Sequence, residues 1–197
     1  MEKIDLLVWS ADDFAGAAAL ELAGLRSTTL SRAADLPSAP LLMGLGTDLA
    51  GLVQVWVDSV DVWPDLVAQV PGDAYLVTES VPQPVSDAPD LLTHLSWFPK
   101  PERLTEAEFF HNWHVVHTPT TIELHPRRQG YVRDAVARTL TDGSPPVRAV
   151  VSEFFATEDY MDPARLFGSR EARQAAGARL PLYADLPDLS SCPVRRV

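Results

Sequence analysis

Apolar and polar positions alternate along this chain in a way that divides it into two stretches with the same order of elements. Residues 3–9 (KIDLLVW) form a short apolar run of strand type. Asp12 and Asp13 precede residues 14–22 (FAGAAALEL), an alanine-rich helical stretch with acidic side chains where a helix N-terminus favours them. Residues 52–59 (LVQVWVDS) are β-branched and aromatic and predict a central strand. A short helix around Pro64-Asp65-Leu66-Val67 and a strand over 74–78 complete the first stretch, and Pro82, Pro84 and Pro89 with serine and aspartate mark a linker.

The second stretch repeats this order. Residues 92–98 (LTHLSWF) predict a strand, and Thr105 with Glu108 predicts a capping box in which hydroxyl and carboxylate exchange backbone bonds. The helix that follows is expected to end near His117, because Thr118 precedes Pro119 and is disfavoured in helical geometry. Residues 130–134 and 147–155 (VRAVVSEFF) predict strands, Asp162-Pro163 starts a helix that runs through Ser169 to about Leu180, and residues 191–197 supply a last strand. The expected architecture is therefore two fused βαββαβ halves, residues 1–84 and 90–197, packed through their open sheet faces. A single irregular α+β domain is the alternative.

Composition narrows the choice of partners. At 197 residues and 46% hydrophobic, the chain can build a sizeable core. A formal net charge of -11 argues against nucleic acid or an anionic membrane surface as partner. The single cysteine, Cys192, cannot form an internal disulfide, which suits a cytoplasmic protein. The N-terminal apolar run is too short for a signal peptide, and no stretch approaches the ~20 apolar residues of a membrane span.

The segment from Glu108 to Pro119 (EFFHNWHVVHTP) carries the chemistry. On a helix, Phe109, Trp113 and Val116 share one face, His117 lies at its margin, His111 points to solvent, and His114 falls between. His111, His114 and His117 sit about 120° apart at their extremes, so one metal ion cannot take all three, and no metal is expected. His117 ends a helix that must pack on a sheet. Partial desolvation would keep it neutral near pH 7, as a general base requires; it could equally end the helix by bonding a carbonyl. His94 and Ser96 alternate with Leu95 and Trp97, so if helices cover the Leu95/Trp97 face, His94 and Ser96 line the seam between halves. Glu153, if buried, would have a raised pKa and could act as an acid, or could pair with Arg133 or Arg148. Tyr131 offers a hydroxyl or ring bulk. Gly44-Leu45-Gly46 lacks the third glycine of a phosphate loop, and there is no nucleophile elbow.

Residues 104–119 (LTEAEFFHNWHVVHTP) resemble the EthD family of the dimeric α+β barrel superfamily, with Phe109, Trp113, His117 and Pro119 in register and Asn112 where the family often has tyrosine. Gly130-Tyr131-Val132, Glu153-Phe154-Phe155 and Phe167-Gly168-Ser169-Arg170-Glu171 resemble its later segments, so the likeness spans residues 92–188. The first half lacks the His-x-Pro and has Gln54 where Glu153 would stand. The resemblance implies two tandem ferredoxin-like halves forming an intramolecular dimeric α+β barrel, as a pseudo-dimeric monomer or a homodimer, with a site in the second half. The expected function is a cofactor-independent lyase, cyclase or isomerase acting on a hydrophobic, aromatic or polyketide-like molecule. His117 is the expected base, with Glu153, His94 or Tyr131 as partner and Ser96, Trp97, Phe98, Trp113, His114 and Phe154 as walls. A non-catalytic binding protein, or a haem-binding or monooxygenase-type protein, are the alternatives.

Overall fold

The computed structural model describes residues 1–36 and 48–197; the Gly44-Leu45-Gly46 segment lies outside them. In chain order the strands are β1 (Glu2–Val8), β2 (Leu25–Ala33), β3 (Gly51–Val57), β4 (Asp73–Gln83), β5 (Leu92–Phe98), β6 (Gly130–Thr139), β7 (Ala149–Phe155) and β8 (Ser190–Arg196). The helices are α1 (Ala11–Gly16), α2 (Trp63–Gln69), α3 (Glu106–Phe110), α4 (Thr118–Leu124), α5 (Thr157–Tyr160), α6 (Pro163–Phe167) and α7 (Arg170–Arg179). The strands close into one barrel in the order β1-β3-β2-β8-β5-β7-β6-β4, and every neighbouring pair is antiparallel.

This closed eight-stranded barrel with short helices replaces the two ferredoxin-like βαββαβ halves that the sequence predicts. Two ladders make the difference. β4 pairs with β6 from Tyr75↔Thr139 to Gln83↔Tyr131, and β2 pairs with β8 over Ser31–Ala33. Strand edges that separate sheets would leave open are thereby consumed, which removes their tendency to pair with other chains. Periodicity reports which face of a strand is buried but not which edge is paired, so closure was invisible to it. The first helix of the first stretch is also shorter than expected, α1 having six residues, whereas α2 is the short helix expected around Pro64–Val67. β4 runs on to Gln83, into the predicted linker.

Alternation sorts each strand onto two surfaces. Ile4, Leu6 and Val8 of β1 pack outside the barrel with Phe14 of α1 and Leu66 of α2. Leu7, Leu52, Tyr75, Leu95, Trp97, Val136, Val150 and Val194 fill the interior. The interior also holds charge. Lys3 Nζ lies 2.8 Å from Asp134 Oδ2, 2.6 Å from Glu79 Oε2 and 3.8 Å from Asp5 Oδ1, and Gln54 Nε2 donates to Asp5 at 2.9 Å. Gln54 thus faces the barrel interior, opposite to the helix-covered face that Glu153 occupies. Burial lowers the lysine's preference for its charged form, but the three carboxylates outweigh that and raise its pKa. One lysine cannot neutralise both inner aspartates, so burial and the neighbouring Asp5 raise Asp134 well above the usual carboxylate range.

Candidate functional site

The predicted capping box is present: Thr105 Oγ1 accepts from the Glu108 N–H at 3.2 Å, and Glu108 Oε2 accepts from the Thr105 N–H at 2.9 Å. The helix does not stop at His117. Residues 111–117 form a π-helical segment and the chain continues directly into α4, with Pro119 in its first turn. The wide turn explains why proline is tolerated, since the carbonyls it would crowd have moved away. The Thr118 N–H bonds Trp113 O, five residues back. The Thr118 hydroxyl donates to that same carbonyl at 2.9 Å and accepts from Arg133 Nη1 at 2.7 Å. With more residues in each turn, position i+4 falls almost directly above position i. Trp113 is buried on this segment and His117 half-buried one turn beyond it.

Beneath this helix lies a partly open cavity of about 370 Å³ between the outer face of the barrel and α4, α6 and α7. His94, Ser96 and Phe98 of β5, Tyr131 of β6, and Val151 and Glu153 of β7 form its floor, with Trp113, His117, Thr121, His125 and Phe167 around it. His94 and Ser96 thus face the helices and Leu95 and Trp97 face the barrel interior, the reverse of the predicted arrangement. Three expected wall residues lie elsewhere. Trp97 belongs to the interior core. Phe154, between Glu153 and Phe155, is turned to the opposite face of β7 and pairs in register with Thr93 and Gly130. His114 packs on Trp113, with ring centroids 4.5 Å apart, and does not reach the cavity.

Apolar walls and a few buried polar groups define the cavity's chemistry. Phe98 and Trp113 meet edge to face at 5.9 Å, and His117 lies against Tyr183 at 4.3 Å. Glu153 forms an ion pair with Arg128, whose side chain is fully buried and stacks over Tyr131 at 4.3 Å. The same guanidinium donates to Gln83 Oε1 at 3.1 Å and to Thr121 Oγ1 at 3.2 Å. Burial alone would raise the Glu153 pKa, but Arg128, with His125 and His94, holds it down to about 2. Glu153 is therefore a fixed carboxylate. It is neither the raised-pKa acid nor the partner of Arg133 or Arg148 that the sequence suggested.

The histidines that line the cavity favour the neutral form. Burial pushes His117 down to about 4, with Glu153 opposing and Arg128 adding to the shift, and it lowers His94 and His125 too. His94 Nδ1 meets the Tyr160 hydroxyl at 3.0 Å. His117 Nδ1, His125 Nδ1 and Arg128 Nη2 are buried without a hydrogen-bond partner. Burial raises Tyr131 to about 12 and holds Tyr183 well above the ordinary phenol range, so both phenols are donors at neutral pH. Among the described residues no group of three or more His, Cys, Asp or Glu side chains is placed to hold a metal.

The sequence reading passed over Arg128, Thr121, His125, Tyr183 and Arg173 as site residues. Arg128 sits in a loop and Tyr183 in an aperiodic stretch, so neither has a pattern that marks it. His125 was the recoverable one, as a further histidine just past the predicted helix.

The closed antiparallel barrel is the feature this chain shares with solved structures. Its fold is similar to that in a crystal structure study of an anthrone oxidase-like protein, at a TM-score of 0.63 and 14% identity, covering 100% of this chain and 90% of that one. At that identity the likeness is one of fold. No family profile and no curated protein matches the sequence. No helix among the described residues is long and apolar enough to cross a membrane.

Proposed function

We propose that the cavity binds a flat aromatic molecule bearing a carbonyl and removes a proton from a carbon that the carbonyl activates, with no cofactor. The observation that carries this reading is His117. Its ring is neutral, its Nδ1 is unpartnered, and it lines a cavity whose volume falls in the small-ligand range. In the proposed step the C–H electron pair passes into the carbonyl system as an enolate and the proton moves to the His117 imidazole. The Glu153 carboxylate favours the imidazolium that forms, and the Tyr131 or Tyr183 hydroxyl donates to the enolate oxygen. A ring nitrogen with a pKa of about 4 is a weak base, so the reading requires a substrate whose carbanion is strongly delocalised. An anthrone, the compound class for which the structural neighbour is named, has such a methylene, and the EthD resemblance of residues 92–188 supports the same reading.

The test is deuterium exchange at the methylene of anthrone, followed by NMR in buffered D2O. The wild-type chain is expected to accelerate exchange over buffer, and His117→Gln to lower the protein-catalysed rate by about a hundredfold with an unchanged circular dichroism spectrum. Equal rates in the two proteins would remove His117 from the mechanism. Binding of anthrone without accelerated exchange would make the chain a carrier.

A further inference from the structure

The charges around the cavity are distributed unevenly. Two charged side chains line it, Glu153 and Arg173. Glu153 lies on the floor beside the buried Tyr131 and is compensated by Arg128. Arg173, on α7, is exposed and stands at the open side with the equally exposed Gly177. Among the described residues its guanidinium has no acidic partner and no hydrogen bond. Arg165, Arg148, Arg103 and Arg26 each hold a carboxylate and Arg179 donates to Thr120; among the described residues Arg32, Arg138, Arg170 and Arg196 are without an ion pair, as Arg173 is, but Arg173 alone of these lines the cavity. On a chain with a net charge of -11, an unpaired cation at a cavity mouth is not part of a general basic surface.

α7 strengthens the point. It has no buried residue of its own and covers the cavity with Ala176 and Gly177, and a Cβ built on Gly177 meets nothing within 4 Å. The helix thus roofs space that a ligand would fill, and it carries Arg173 to the edge of that space.

We propose that Arg173 determines ligand specificity: the ligand is an aromatic compound bearing a carboxylate, oriented with the carboxylate at the mouth and the ring system against Phe98, Trp113 and Tyr183. The inference rests on the small-molecule reading of the cavity and adds the ligand's charge and direction. At the inner end Glu153 and Arg128 neutralise each other, so that end offers a carboxylate no net attraction, and Arg173 is the uncompensated cation that lines the cavity. Guanidinium and carboxylate match as paired donors and acceptors, so Arg173 selects this anion over a neutral isostere.

Calorimetric titration with 2-naphthoate and with its neutral near-isostere 2-acetonaphthone tests this. Wild type is expected to bind the naphthoate more tightly. Arg173→Gln is expected to weaken naphthoate about fivefold, the range of a solvent-exposed charge-assisted pair, and to leave the ketone unchanged. If the ketone binds and naphthoate has no advantage, or if the advantage survives Arg173→Gln, the role of Arg173 is overturned while the cavity reading stands. If neither compound binds, both fall. Arg173 buries nothing, so loss of fold does not confound the variant.

Discussion

Two buried ionic clusters lie on opposite faces of the same barrel wall, and they are built on opposite principles. Inside the barrel, Lys3 serves three carboxylates, with Asp5 Oδ2 and Asp134 Oδ1 left without partners. Outside it, Arg128 serves one carboxylate and has a donor to spare. Surplus anion inside raises Asp134; surplus donor outside depresses Glu153. Among the described residues the second cluster borders the cavity, and burial there keeps the adjoining His117 imidazole neutral against the pull of Glu153. The lesson is that burial alone does not set a carboxylate's state; the ratio of cations to anions in the cluster does.

The largest effect expected from breaking this contrast is on stability. Arg128→Leu leaves Glu153 unpaired over a desolvated floor and should cost about 3–5 kcal/mol at pH 7, read from urea unfolding. A loss under about 1 kcal/mol would show that the pair is solvated. Next in size is the acid response of the histidines. His117 has a folded pKa of about 4 against an ordinary 6.5, so the unfolded chain binds more protons between those values and stability must fall as pH drops through that window. The shift corresponds to about 3 kcal/mol, and His117→Gln should flatten the slope of unfolding free energy against pH by that order. Glu153 acts lower, between its unfolded value of 4.5 and about 2, again losing stability as pH falls.

The interior cluster should behave with the opposite sign. Because Asp134 has a raised pKa, its contribution is favourable at low pH and is lost as pH rises through the folded value. Asp134→Asn should therefore change stability by less than about 1 kcal/mol at pH 7 and gain on wild type as pH increases. A fixed penalty at every pH would mean that Lys3 fully compensates Asp134. The smallest stability effect is expected for Gly177→Leu in α7, a gain of no more than about 1 kcal/mol from replacing a helical glycine, since nothing crowds the new Cβ; calorimetry should show naphthoate binding weakened at the cavity edge.

Much of the local structure was legible because short-range chemistry wrote it. Thr105 and Glu108 announce α3, and Asp162 caps α6 at the Ala164 N–H at 2.8 Å with Pro163 in its first turn. The tail does supply the last strand, β8. β2 was not located, because Leu25–Ala33 is rich in Ser, Thr and Arg and lacks a clean apolar face. Closure depends on pairings such as Ser31↔Arg196 and Val77↔Val136, remote in sequence and carried by the backbone. At the site, seven of the ten predicted side chains meet at the cavity. Those misplaced, Trp97, Phe154 and His114, each required knowing which face the helices cover or how far the π turn rotates the chain. Arg128, which decides the state of Glu153, sits in a loop where periodicity is silent.

The central claim is that the His117 imidazole is held neutral in a desolvated hollow. Observing its ring nitrogens by 15N NMR as pH is lowered in the intact chain tests this most directly. The account requires a protonation midpoint near 4, with the neutral ring persisting through pH 5 to 8. A midpoint at 6.5, the value of a solvated histidine, would contradict the desolvation and with it the assignment of His117 as a base.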